Sequence, residues 1–239
     1  MKLKTIGLSI AALSASSFAF LLHAAPPAPD SGLSVDITSP ADGSRLPWNA
    51  QAPYAVTASY DGKSTKYDEL PANAVVLRTA YVADAGAPAA RRPAPLPEGI
   101  VAISQSNCMG CHDFSAHSAG PSFAAIGKRY AGKAPAVAML ADHIRGGSSG
   151  AWGGASMPPH PDMSTAQATA IAQWIVAHGN DAAVRYSIGK TGSFRMTAPD
   201  TPDPQAGMVL SAFYTGPLKP GDSRRPKGRT VVVVRGAGS

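Results

Sequence analysis

Cys108-Met109-Gly110-Cys111-His112 holds both cysteines of a 239-residue chain. Two thiols three positions apart, followed at once by an imidazole, form the C-x-x-C-H pattern through which a haem is attached covalently. Each thiol can form a thioether with one vinyl group of the porphyrin. The histidine beside the second thiol is then held beneath the iron. The same residues also admit a redox dithiol or half a zinc site. A cysteine-rich zinc site needs further thiols at similar spacing, and the chain has none left to supply them. A thioredoxin-like dithiol belongs beside a βαβ pattern, and the sequence before Cys108 does not read as a strand. Haem attachment is the expectation that remains.

An iron held by His112 needs a ligand on its other face, or stays open to small molecules. Met157, within Ser156-Met157-Pro158-Pro159, is the expected donor. A thioether is soft, suits ferrous iron and raises the reduction potential relative to a second imidazole. The two prolines stiffen its loop by fixing φ. Met163 is the competing sulfur, and His143 or His160 would make a bis-histidine site. Met109 lies inside the attachment loop and cannot reach the far face. Methionines also fill cores, so packing alone is the plain alternative for Met157. His160 reads as a surface residue, and His117 and His178 as incidental.

The N-terminus agrees with the motif. Basic Met1-Lys2-Leu3-Lys4, an apolar stretch from Ile6 to Leu22 and small residues at Ala24 and Ala25 predict a secretory signal peptide over residues 1–24. Ser9, Ser14, Ser16 and Ser17 dilute the stretch and argue against a retained membrane anchor. Haem is attached outside the cytoplasm, so a periplasmic chain with no stable membrane insertion is expected. The net charge of +6 falls to +4 once Lys2 and Lys4 are removed. Residues 25–99 carry −2, residues 100–180 carry +1 and residues 181–239 carry +5. The excess gathers around Lys219, Arg224, Arg225, Lys227 and Arg229. Nucleic acid does not suit an exported chain, so an acidic partner surface or plain solubility is expected.

Three segments follow the signal, which together predict an α+β chain. Residues 33–83 alternate apolar and polar side chains, as in Val35-Asp36-Ile37-Thr38 and Tyr54 to Tyr60, with a turn at Asp61-Gly62. Residues 84–97, rich in Ala and Pro, read as a linker. Residues 98–179 switch to helical period. Pro135 opens a helix carrying Val137, Leu140, Ala141 and Ile144, and Gly146-Gly147 stops it. Ser164 with Gln167 forms a capping box for a second helix that carries Ala170, Ile171, Trp174 and Ile175. Residues 183–236 return to strands, clearest at Gly207 to Tyr214 and Thr230 to Val234.

Cys108, Cys111 and His112, then Gly120-Pro121, Trp152-Gly153, Met157-Pro158-Pro159 and Trp174, make residues 98–179 resemble a small class I bacterial cytochrome c. The resemblance implies a small all-α domain with one covalently bound haem c, and electron transfer rather than catalysis. It implies that the Pro121 carbonyl accepts a hydrogen bond from the ligand imidazole and that the Trp152 indole N–H meets a haem propionate. It also puts His143 near a propionate, where its titration would couple to the charge on iron. One departure stands out: Ile103 occupies a first-helix position where the family commonly has an aromatic packed near Trp174.

The outer segments, through Ile37-Thr38-Ser39-Pro40, Trp48, Pro53-Tyr54 and Asp61-Gly62, are similar to an immunoglobulin-like β module. Such modules accompany the cytochrome c domain of some quinoprotein sugar dehydrogenases. The implied architecture is a cytochrome c domain flanked by, or inserted in, an immunoglobulin-like sandwich. The implied partner is a redox protein, with a quinoprotein dehydrogenase as donor. Two other function classes stay open. One is a haem enzyme or gas sensor with a labile sixth ligand, and the other is a β binding module with the haem secondary.

Overall fold

Alternating apolar residues make the first strands. A computed structural model describes residues 32–237; the expected signal segment, 1–24, lies outside the described residues. The chain forms β1 (Ser34–Ser39), β2 (Arg45–Pro47), β3 (Gln51–Tyr60), β4 (Lys63–Ser64) and β5 (Val75–Val82). It then forms α1 (Glu98–Ser104), α2 (Phe123–Tyr130), α3 (Ala136–Gly146), β6 (Ser148–Gly150), β7 (Gly153–Met157) and α4 (Thr165–His178). Four strands close the described chain: β8 (Val184–Ile188), β9 (Thr191–Arg195), β10 (Gly207–Thr215) and β11 (Lys227–Ala237).

The strands before and after the helices pair with each other. In the first sheet β3 lies between β1 and β9 and also pairs with β4, all antiparallel. The second has the order β2-β11-β10-β5-β8, with only β2 and β11 parallel. A single apolar core takes Tyr54, Val56 and Ala58 from β3, Leu77 from β5, Leu210 and Tyr214 from β10 and Val234 from β11. Each large side chain removed from water here contributes about 1.5–3 kcal/mol. Trp48, with its ring 6.0 Å from that of Tyr81, packs against the same core. Tyr54 is buried within it.

The opposite face of the second sheet is also covered. Val76 of β5 and Tyr186 and Ile188 of β8 join the helical core of Ile100, Ile103, Ile171 and Trp174. Val209 and Val233 pack on Ala85 and Ala90. Residues 84–97 are therefore no loose linker. They include a 3-10 turn, Pro88–Arg91, laid on the sheet. Burial on both faces explains why β10 reads as a nearly unbroken apolar run rather than an alternation.

Helix ends follow the sequence closely. Ser164 Oγ accepts from Gln167 N at 3.2 Å while Gln167 Oε1 accepts from Ser164 N at 3.1 Å, completing the capping box of α4. Such a cap contributes about 1 kcal/mol. Pro135 precedes α3, and Gly147 ends it with φ of +82°. Leu140, Ala141 and Ile144 of α3 are buried and Val137 is partly so. The segment is not wholly helical, however. The β6–β7 hairpin interrupts it, in a glycine-rich run that carries no periodic signal. Among the described residues no helix is long and apolar enough to cross a membrane.

The basic cluster near the C-terminus stays largely at the surface, yet four of its five side chains bond within the chain. Lys219 pairs with Asp61 at 2.8 Å and Lys227 with Glu98 at 2.6 Å. Arg225 Nη1 donates to Gln105 Oε1 at 2.8 Å, and Arg229 Nη1 to the Pro93 carbonyl at 3.2 Å. Three of these four contacts join β11 or the loop before it to α1, its C-cap or the 84–97 segment. Each exposed pair contributes little alone.

Asp42 ties three segments together. Its carboxylate accepts from Arg91 Nη1 and Nη2 at 3.1 and 2.9 Å, and from Val233 N at 2.8 Å. The Arg91 hydrogen bonds hold its carboxyl below the ordinary carboxylate range, against a smaller opposing effect of burial. A carboxyl lowered in the folded state stabilises it above the unfolded pKa of about 3.9 and loses that effect as pH falls through the folded value. Denaturant melts of Asp42→Asn against the parent chain are expected to show lower stability at neutral pH. The gap should close progressively below about pH 4.

Candidate haem site

The attachment residues sit in one tight turn. Cys108–Gly110 is a 3-10 turn after α1, and His112 N donates to Cys108 O at 3.0 Å. Cys108 is buried and Cys111 exposed. Burial pushes the Cys108 thiol up, partly offset by the Ser106 hydroxyl, which donates to Cys108 Sγ at 2.9 Å. A thioether cannot ionise, so an alkylated sulfur would sit there without that penalty.

His112 is held from three directions. Its Nδ1 lies 2.6 Å from the Pro121 carbonyl. A carbonyl only accepts, so Nδ1 carries the proton and Nε2 keeps its lone pair for a metal. The Phe123 ring stacks on the imidazole, 5.4 Å between centroids and 21° between planes. Gly120 closes the third side, where an added Cβ would lie 2.7 Å from His112 Cε1.

Local hydrogen bonds bring Pro121 to that position. The Asp113 carboxylate accepts from Ser115 N and Ala116 N, each at 2.8 Å. Gly120 N donates to Cys111 O at 2.7 Å, and Phe123 N to Asp113 O at 3.0 Å. Ser122 Oγ then caps α2 by accepting from Ala125 N at 3.1 Å.

A cavity of about 400 Å³ opens beside His112. Such a volume lies in the ~300–1,000 Å³ range of cofactor and ligand pockets. All seven residues expected from the sequence line it: Cys108, Cys111, His112, Pro121, His143, Trp152 and Met157. Met157 reaches it from the end of β7, where Met157 pairs with Ser148. His160 lines the cavity too, whereas Met163 and Met109 pack against the helical core and do not line it. His117, expected to be incidental, is also a lining residue. Its sequence surroundings give no hint of this, because the loop geometry alone brings it there.

Apolar side chains complete the wall, among them Ile126, Leu140, Ile171 and Ile175. The Arg129 guanidinium lies 4.5 Å from the Trp152 ring centroid and donates to the Ala151 carbonyl at 2.6 Å. That pairing braces the turn between β6 and β7. Two thiols, an imidazole with a free Nε2, a thioether and apolar walls are a donor set that fits a c-type haem. Among the described residues no group of three or more His, Cys, Asp or Glu side chains is placed to hold a bare metal ion.

Known proteins resemble the segment that carries these residues. Residues 98–178 match the family model described as cytochrome c. The chain is 45% identical over 73 residues to cytochrome c-552 of Hydrogenobacter thermophilus, covering 30% of this chain and 74% of the relative. It is 41% identical over 71 residues to cytochrome c-551 of Azotobacter vinelandii, covering 30% of this chain and 85% of that protein. The crystal structure of Nitrosomonas europaea cytochrome c552 aligns at 41% identity with a TM-score of 0.31, over 31% of this chain and 93% of that one. Through residues 98–178 the chain belongs to the cytochrome c family, as a single-haem c-type electron-transfer protein.

Proposed function

We propose that the chain is a periplasmic electron carrier whose haem is tethered by Cys108 and Cys111 and ligated by His112 and Met157. In this reading Pro121 orients His112, while His143 and Trp152 face the propionates. The observation that carries it is the meeting of these residues on one apolar cavity, with His112 Nδ1 already bonded. Bound, the haem supplies a reversible one-electron change at iron. His112 and Met157 would hold the iron, the apolar wall would keep water from it, and the Pro121 carbonyl would keep the imidazole still between oxidation states. With both residues as ligands, a substrate would find no open place at the iron, which would separate a carrier from a haem enzyme or sensor.

Residues 98–179 are the haem unit of this proposal. Residues 33–83 and 183–236 form one immunoglobulin-like β unit, and residues 84–97 connect the two. The pairing of β5 with β8 and the shared core of both sheets support that division. The electron donor is a redox protein acting in trans, with a quinoprotein dehydrogenase as the candidate. The β unit offers no exposed aromatic platform from Trp48 or Tyr54, since both pack into its core.

Two substitutions test the ligand set. Met157→Leu is expected to abolish the sulfur–iron charge-transfer band of the oxidised, haem-loaded protein. It should also lower the reduction potential by on the order of 0.1–0.3 V, within the ~0.8 V that axial ligands span. Optical spectra and voltammetry read both, and an unchanged band removes Met157 from the ligand set. Gly120→Ala forces a methyl group against the imidazole. It is expected to cost about 1–3 kcal/mol, typical of overpacking, in a melt followed at the haem absorbance.

A further inference from the structure

The core around Trp174 is completed from outside the helical segment. On α1 that side of the core carries the aliphatic Ile103, fully buried. Beside Phe114 and Phe123 of that segment, Trp174 meets Tyr186 of β8, a strand at the edge of the second sheet. The rings are 5.8 Å apart and nearly perpendicular, at 85°. Tyr186 also packs on Phe114, 5.9 Å away at 37°. Phe114 and Trp174 both pack on Phe123, at 5.6 and 6.0 Å. Phe123 stacks on His112. Ring contacts therefore run without a gap from the β sheet to the imidazole.

Tyr186 is itself tightly set. In the β5–β8 ladder it lies directly opposite Arg78. Burial pushes its hydroxyl up, and the positive charge of Arg78 is the main opposing influence. Trp174 Nε1 and Arg78 Nε are buried without a well-formed hydrogen bond among the described residues. The flat body of Tyr186 packs on two aromatic rings, those of Phe114 and Trp174.

We propose that Tyr186 is a positioning residue for the haem: through Phe114, Trp174 and Phe123 it makes the β sheet a support that fixes the plane of the His112 ring. Each edge-to-face or offset ring contact of this kind adds stabilisation beyond area burial. Besides the imidazole, Phe123 touches two rings, Phe114 and Trp174, and Tyr186 packs on both. Losing Tyr186 frees Phe114 and Trp174 to shift, and Phe123 then no longer holds the imidazole at one angle. This inference rests on His112 being an iron ligand, as proposed above.

The test uses the full, haem-loaded chain with Tyr186→Leu, Tyr186→Phe and, as a control on the same strand, exposed Arg185→Ala. The spread of g-values in the ferric low-spin electron paramagnetic resonance signal reports the orientation of the imidazole plane, well below any melting temperature. Tyr186→Leu is expected to change that spread. It should also lower the midpoint for thermal loss of the sulfur–iron band by about 2–6 °C. Tyr186→Phe keeps the ring and should restore the wild-type g-values, and Arg185→Ala should match wild type in both readouts. Failure of Tyr186→Leu alone to retain haem, with Tyr186→Phe loading normally, also supports the proposal. Wild-type g-values in Tyr186→Leu, or equal changes in Tyr186→Leu and Tyr186→Phe, overturn it. A parent protein without a low-spin histidine–methionine signal overturns the ligand assignment itself, and this inference with it.

Discussion

An imidazole can serve as a steady iron ligand only if its tautomer and ring plane are settled before the metal arrives, and the Nδ1–H bond to the Pro121 carbonyl settles the first. That bond requires residues 113–120 to loop back within a few ångströms of the Cys108–Cys111 turn. The Asp113 turn and the bond from Gly120 N to Cys111 O hold the loop there. A glycine is needed at position 120 because the loop passes so close to the ring. The proline then leads directly into the Ser122 cap of α2. The same short stretch thus orients the ligand and starts the helix that delivers Phe123 to its face.

A second constraint is that the helices do not bury their own core alone. Seven residues of α1 and eight of α2 are short for independent helices, so tertiary packing has to hold them. The second sheet provides part of it. Its β5 and β8 residues Val76, Tyr186 and Ile188 belong to the same cluster as Ile100, Ile103 and Trp174. The sheet is in turn held by the core it shares with β1, β3 and β9. Rigidity is thereby passed from a β core toward the ligand histidine, an arrangement suited to a site whose charge changes while its geometry must not.

Electrostatics works at the seam between these parts. Lys227 with Glu98, Arg225 with Gln105, and Arg91 with Asp42 link strands and turns of the β structure to α1 and the connecting segment. None of these contacts is deeply buried, so their worth lies in fixing orientation more than in net stability. Basic side chains near the C-terminus thus make bonds within the chain while remaining at its surface.

Features that depend on neighbours a few residues apart were legible from the amino-acid order alone. The thiol and imidazole spacing at 108–112, the Ser164–Gln167 capping box, the Pro135 start and Gly147 stop of α3, and the alternation in β1 and β3 all arise within one or two turns of chain. Of the seven expected site residues, Cys108, Cys111 and His112 came from that local spacing and Met157 from its soft sulfur, while Pro121, His143 and Trp152 came from the resemblance to class I cytochromes c. Only the folded chain decided which strands are neighbours across a 100-residue gap, so the pairing of β5 with β8 could not be read beforehand. The β6–β7 hairpin went unforeseen because glycine carries no periodic signal. The bonds of the basic residues within the chain and the seating of Tyr186 against Trp174 are long-range contacts. Periodicity records which side of an element is apolar, but the identity of the surface that covers it is set by long-range packing.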